Sequence, residues 1–187
     1  MRPLSNVIGI DDAPFQRSHR GNVGLVGVIL TKNRLDGVVI GHARRDGADA
    51  TRRIAAMVRD SAFFQHVQGV ILQGIAVAGF NVIDIHALNA LLERPVLVVA
   101  RHAPDYPAIR RALLERVPGG AKKWRLIERA GPMEPIAKVL VQRAGLDRAR
   151  AERFLRDSTL HGSLPEPLRI AHLVAGGIAT GHSRGGA

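Results

Sequence analysis

The chain has 187 residues, 46% hydrophobic, 23% charged and only 4% aromatic, a balance that excludes wholesale disorder and predicts an aliphatic core. It carries no cysteine, which removes disulfide frameworks, thiolate zinc sites and cysteine nucleophiles, and its longest apolar stretch, 67–85, is broken by Gln68, Gln73, Asn81 and Asp84, too often for a membrane span. The 27 Lys and Arg against 16 Asp and Glu leave a net charge of +11, which favours a polyanionic partner, nucleic acid first. All but four of the basic residues are arginine, so general arginine decoration of the surface is the plain alternative. The N-terminal residues lack the basic, apolar and small-residue succession of a signal peptide, and a cytoplasmic protein is the simplest expectation.

In chain order, residues 6–10 are a short apolar run ending in Asp11 and Asp12, which predicts a buried first strand with acids at its C-terminal end. GLVGVIL (24–30) and LDGVVIGH (35–42), joined by the polar turn 31–34, predict a hairpin. After the polar loop 44–49, Thr51 can cap a helix running to about 64, with Ile54, Ala55, Val58 and Ala62 on one face. Residues 69–76 predict a strand buried on both faces, 82–92 a helix, 95–100 a fifth strand and 107–116 a helix. Residues 118–120 read as a loop and 124–128 as a short strand. Residues 135–144, 148–157 and 168–177 predict helices, with a turn at 162–167. We expect residues 1–180 to form a single domain and 181–187 a glycine-rich, frayed tail. An antiparallel meander followed by alternating α and β units is an α/β pattern, a mixed sheet flanked by helices.

The chemistry-bearing residues stand where strands end. Asp11 and Asp12 leave the first strand, Asp46 and Asp49 the third, and Asp84 follows the fourth. In open α/β sheets sites form beyond strand ends, so neighbouring strands can gather these acids. Carboxylates sharing a pocket repel unless a divalent cation neutralises them, and Mg²⁺ prefers hard oxygen ligands. Two such ions roughly 3.5–4 Å apart can activate water and stabilise a leaving oxygen, which is a nuclease layout. Each acid also has a structural role open to it: Asp46-Gly47 is a turn dipeptide, and Asp49 and Asp84 can cap helices. Asn81 can contact a ligand or hold a turn, and Gln73, inside an apolar strand, can be a satisfied core amide. Arg101 leaves the fifth strand, where a cation can meet a phosphate. No histidine pair has zinc spacing, and residues 119–123 lack a Walker A pattern. Gly181-His182-Ser183-Arg184-Gly185 matches the nucleophile-elbow letters, but with only two residues after it there is no room for the helix an elbow needs.

Five ordered segments carry a resemblance: IGIDDAPF (8–15), RDGADAT (45–51), VILQGIAVAGFNVIDI (70–85), PVLVVARHAPD (95–105) and SLPEPLRIAHL (163–173). Together they resemble the endonuclease dU family, relatives of endonuclease V. The resemblance implies an RNase H-like fold and Mg²⁺- or Mn²⁺-dependent cleavage of DNA, with deaminated bases such as deoxyuridine as the target. By position, Asp11 or Asp12 stands where such nucleases carry their first-strand aspartate, and Asp46 or Asp49 takes the place of the acid after the third strand. Arg101 sits where endonuclease V has a lysine, and His172 lies near a late histidine-bearing helix. The chain departs from endonuclease V at Gln73, near the place of the fourth-strand aspartate, so the third acid is missing or supplied by Asp84. The Pro-Tyr-Pro wedge is absent from the early loops; Pro104-Asp105-Tyr106-Pro107 is similar in letters but follows the fifth strand. The expected function is therefore a DNA endonuclease, with a non-catalytic nucleic-acid binder on the same fold as the alternative and a small-molecule-binding α/β protein as a third reading. Convergence of Asp12 with Asp46 or Asp49 is the observation that favours the enzyme.

Overall fold

The near-continuous apolar runs of the first two strands need a covering layer on each face of the sheet. A computed structural model, described here for residues 4–183, provides both layers. In chain order it contains β1 (Asn6–Asp12), β2 (Asn22–Thr31), β3 (Arg34–Arg44), α1 (Ala50–Arg59), β4 (Gly69–Gln73), β5 (Ala76–Val77), β6 (Asn81–Val82), α2 (Ile85–Leu92), β7 (Val96–Ala100), α3 (Tyr106–Arg116) and α4 (Gly120–Ala130). β8 (Glu134–Ile136), β9 (Val139–Ala144), α5 (Arg148–Ser158) and α6 (Glu166–Thr180) follow. The main sheet has the order β3-β2-β1-β4-β7-β9-β8. β1, β2 and β3 form the expected antiparallel meander, β4 and β7 add parallel to β1, and β9 and β8 close the far edge antiparallel.

Alternation divides the core into two layers. Ile8, Ile10, Leu25, Val70, Leu72 and Val98 face α1 and α2, where Ile54, Val58, Ile85 and Leu88 meet them. Val7, Ile71, Leu97, Val99 and Val141 face α5, and Val26, Val28 and Leu30 face Ala171 and Ala175 of α6. α3 and α4 form a side lobe with the β5–β6 hairpin, built on Val82, Leu113 and Ile127 with Tyr106 and Trp124 against them. Among the described residues, no helix is long and apolar enough to cross a membrane.

Several elements differ from the sequence expectation. The strand expected at 124–128 lies inside α4, and the helix expected at 135–144 is the β8–β9 hairpin. Val99 pairs with Val141, so the free edge of β7 takes the β-branched residues of this segment as a strand, and Ala137, at φ +53°, makes the tight turn. α1 stops at Arg59, not near 64, and Ser61 Oγ donates to the carbonyl of Val58 at 2.7 Å. Phe63 instead lies over Gly37 of β3, where any side chain would collide with its ring. β4 ends at Gln73, because Gly74 turns the chain at φ +82° into the β5–β6 hairpin. Of the tail expected at 181–187, residues 184–187 lie outside the described residues.

Candidate active site

The C-terminal end of β1 sends two adjacent carboxylates to opposite faces of the sheet, as alternation requires. Asp11 shares its face with Val26, its partner on β2, and meets α6. His172 Nδ1 lies 2.9 Å from Asp11 Oδ2, and Asp11 Oδ1 accepts from the amide of Asp12 at 2.9 Å. Only 6% of Asp11 is exposed. Burial pushes its carboxyl above the ordinary value, against the hydrogen bond from His172. Gly9 makes this meeting possible, since a Cβ there would stand 2.4 Å from the carbonyl oxygen of Pro167. The helix advances about 7.5 Å from Pro167 to His172 and the strand about 6.6 Å from Gly9 to Asp11, so the two side chains arrive level.

On the other face, Asp12 Oδ2 accepts from the amide of Ala78 at 2.6 Å. Burial pushes this carboxyl up to about 6; the Ala78 hydrogen bond opposes the shift and the Asp11 charge adds to it. Asp46, at φ +50°, binds the same loop: its Oδ1 accepts from the amide of Phe80 at 2.8 Å and its amide donates to the carbonyl of Ala78 at 2.9 Å. Asp12 and Asp46 thus hold residues 78–80 from two sides. Gly79, at φ +82°, sits so close that a Cβ would come within 2.4 Å of Asp46 Oδ1. Lys123, 4% exposed, donates from Nζ to the carbonyl of Asp46 at 2.6 Å, and burial lowers its ammonium below the ordinary value. Lys123 was not anticipated from sequence. Its signal is the helical spacing of Gly120, Lys123 and Ile127, which puts the lysine on the buried face of α4.

The remaining candidates divide. Asp49 Oδ1 accepts from Asn81 Nδ2 at 2.7 Å and from the amide of Arg44 at 3.1 Å, and Oδ2 faces Arg53 Nε at 3.2 Å. Burial raises its carboxyl, but the hydrogen bonds from Asn81, Arg44 and Arg53 outweigh this and leave it below the ordinary value. Asn81, fully buried, also accepts from the amide of Ala50 and donates to the carbonyl of Arg44, so it ties the end of β3 to the start of α1. Asp84, expected from sequence as a third metal acid or a helix cap, caps α2 through the amide of Ala87 and pairs with Arg129. Asp49 is likewise engaged by structural partners. Among the described residues, no three His, Asp or Glu side chains are grouped to hold a metal. Gln73, a candidate site residue whose structural alternative is a satisfied core amide, has its Oε1 buried without a hydrogen-bond partner, on the face of Asp11 one strand away. Arg101 stands exposed immediately past β7. Pro104 to Pro107 open α3, with Asp105 as its cap and Tyr106 packed edge-on to Trp124 at 6.3 Å, so the wedge-like letters form a helix start.

Two carboxylates from different strand ends, both bound to the loop 78–80, offer the hard-oxygen donors that suit a small divalent cation, because Mg²⁺ takes one or two protein carboxylates and completes its shell with waters and substrate phosphate. The buried charge of Asp12 is the feature such an ion would neutralise.

Comparison with known proteins identifies the family and the fold. The family model described as Endonuclease dU matches residues 3–179. A UPF0215 protein of Deinococcus radiodurans is 56% identical over 182 residues, covering 97% of this chain and 93% of that one. The crystal structure of a protein of unknown function from Archaeoglobus fulgidus superposes with a TM-score of 0.86 at 32% identity, covering 94% of this chain and 98% of that one. Endonuclease V of Ciona intestinalis, solved with a DNA containing an inosine, superposes with a TM-score of 0.58 at 12% identity, over 89% and 82% of the two chains. The endonuclease V-like, RNase H-like fold expected from the sequence is the fold of this chain.

Proposed function

Since the chain belongs to the endonuclease dU family, we propose that it is a metal-dependent endonuclease that hydrolyses phosphodiester bonds in DNA, at deaminated bases such as deoxyuridine, in the service of repair. The observation that carries this is the joint hold of Asp12 and Asp46 on residues 78–80, beside the Asp11–His172 pair at the end of the central strand. Asp12 and Asp46 would hold Mg²⁺ or Mn²⁺. The bound ion would supply charge neutralisation at the scissile phosphate and acidify attacking water.

The chain's own groups have separate tasks. Asp11 orients His172 through Nδ1, which leaves Nε2 to hold or release a proton at the reacting oxygens. Gln73 offers an unsatisfied acceptor on the same face for a donor group of the substrate. Lys123 and Gly79 position the Asp46 loop. Arg101 and the basic surface attract the phosphate backbone. A chain without cysteine loses no cross-link in a reducing compartment, which supports a cytoplasmic place of work.

The test is incubation with uracil-, inosine- and flap-containing oligonucleotides, with and without Mg²⁺ or Mn²⁺. Cleavage should require the ion and disappear in Asp12→Asn and Asp46→Asn, while DNA affinity without metal is kept or improved because negative charge is removed. Gln73, an amide at the fourth-strand position, favours a second reading, a non-catalytic DNA binder. Binding without cleavage of any of these substrates would establish it.

A further inference from the structure

Beside Asp46 the surface opens into a cleft of about 490 Å³ lined by Arg20, Arg44, Arg45 and Arg116, with Gly47 and Pro118 among its other walls. Four arginines and a single acid, Asp46, line it. The arginines come from three separate places: the loop between β1 and β2, the end of β3 and the end of α3. Register brings two of these together, because Asn22 pairs with Arg44 and Arg20 lies just before it.

Arg45 is already employed. Its Nη1 donates to the carbonyls of Arg17 and His19, its Nε lies 3.2 Å from Asp46 Oδ2, and its guanidinium lies 5.7 Å from the centre of the Phe15 ring. It fastens the β1–β2 loop to the end of β3 and so builds the wall of the cleft. Arg20, Arg44 and Arg116 are exposed, and among the described residues their guanidinium groups make no ion pair or hydrogen bond. Like charges held together in this way are relieved by an anion. Small-molecule pockets of this volume are mostly apolar, whereas this lining is arginine-rich. Arginine in particular suits phosphate, whose oxygens it meets through paired N–H groups.

We propose, on the premise of the nuclease reading above, that this cleft is a phosphate-binding subsite for the backbone of the DNA strand flanking the cut, with Arg20, Arg44 and Arg116 as its phosphate ligands. Arg101, past β7, stands four strands away from β3 in the sheet order β3-β2-β1-β4-β7. At about 4.8 Å per strand the two ends lie roughly 19 Å apart, the axial rise of five to six nucleotides at about 3.4 Å each. On this reading the bound strand runs from the cleft beside Asp46 past the end of β1, where Asp12 stands, and the end of β4 towards Arg101.

The experiment compares native chain, the triple variant Arg20→Gln/Arg44→Gln/Arg116→Gln and a control, Lys138→Gln/Arg153→Gln/Arg156→Gln, which removes three positive charges near the far edge of the sheet. Affinity for a labelled duplex oligodeoxynucleotide is followed by fluorescence anisotropy across a salt series, with nicking assayed in Mg²⁺ on the same duplex. The triple variant should lower the log–log salt slope by about 2.7, at about 0.9 for each phosphate that is no longer neutralised, and the control should change it much less. A triple variant with the native slope and affinity, while the native chain binds and cleaves, would overturn the subsite and leave the nuclease reading standing. A slope reduced equally in both variants would show only bulk charge and would also overturn it. A native chain that neither binds nor nicks the duplex would overturn the nuclease reading itself.

Discussion

At Asp12 the folded protein keeps a proton up to about pH 6, chiefly through burial, whereas an ordinary aspartate releases it near 3.8. Between those values the folded state binds more protons than the unfolded one, so this residue's share of stability is intact below 3.8, falls as pH rises and is fully lost above about 6. Asp12→Asn should therefore be more stable than the native chain in metal-free buffer at about pH 8, with the gain vanishing near pH 4. Urea unfolding at both pH values measures this. A gain of the same size at both would remove the buried charge as its cause. Gly79 supplies a second test at this scale. An alanine at φ +82° costs roughly 1–2 kcal/mol in backbone strain and also displaces Asp46 Oδ1. Gly162, at φ +68° with nothing near its Cβ position, carries the backbone strain alone. Gly79→Ala should abolish metal-dependent cleavage while Gly162→Ala, equally strained, retains it. Equal activity in the two variants would release Asp46 from its assigned place.

α6 shows how one residue decides the position of an element. Pro167 rests directly on Gly9, and the helix then delivers Ala171 and Ala175 to the β2 face and His172 to Asp11. Gly9→Ala places a methyl 2.4 Å from backbone and must push the helix outward. We expect a loss of about 1–3 kcal/mol, the usual range for overpacking, together with a fall in cleavage rate. The His172 ring resonances at one fixed pH report the cause: they should move once the ring leaves Asp11. Unchanged His172 chemical shifts would mean that the helix absorbs the methyl without moving. The β8–β9 hairpin illustrates the opposite control, in which an outside partner imposes the state. Its residues become a strand because β7 presents an open edge to Val141.

Across the molecule, both helix layers pack on one sheet, and residues 1–180 are expected to unfold in one cooperative transition. Calorimetry checks this through equal calorimetric and van't Hoff enthalpies. An ion that binds only the folded state raises the midpoint, with a stabilisation of about 2.7 kcal/mol when present at a hundred times its dissociation constant. Millimolar Mg²⁺ or Mn²⁺ should shift the native chain upward at about pH 8, and EDTA should reverse the shift. Asp12→Asn and Asp46→Asn should show none. A native chain indifferent to both ions would argue that the two carboxylates hold only the loop.

The sequence alone determined the opening meander, the parallel strands after it and the carboxylates at the strand ends, because period-two alternation and apolar runs are local properties of the chain. Five ordered motifs also carried the family. Tertiary structure decided which partners each acid meets. Asp49 and Asp84 are engaged by Asn81 and Arg129, partners more than 30 residues away. No local pattern shows such a partner. For Lys123 the helical spacing with Gly120 and Ile127 marks the buried face of α4, but its partner, the carbonyl of Asp46, is 77 residues away and invisible to that spacing. The segment at 135–144 reads as a helix by itself, and the open edge of β7 makes it a strand. Local periodicity can state what an element prefers, but burial, charge neutralisation and the choice of hydrogen-bond partner are settled between segments distant in sequence.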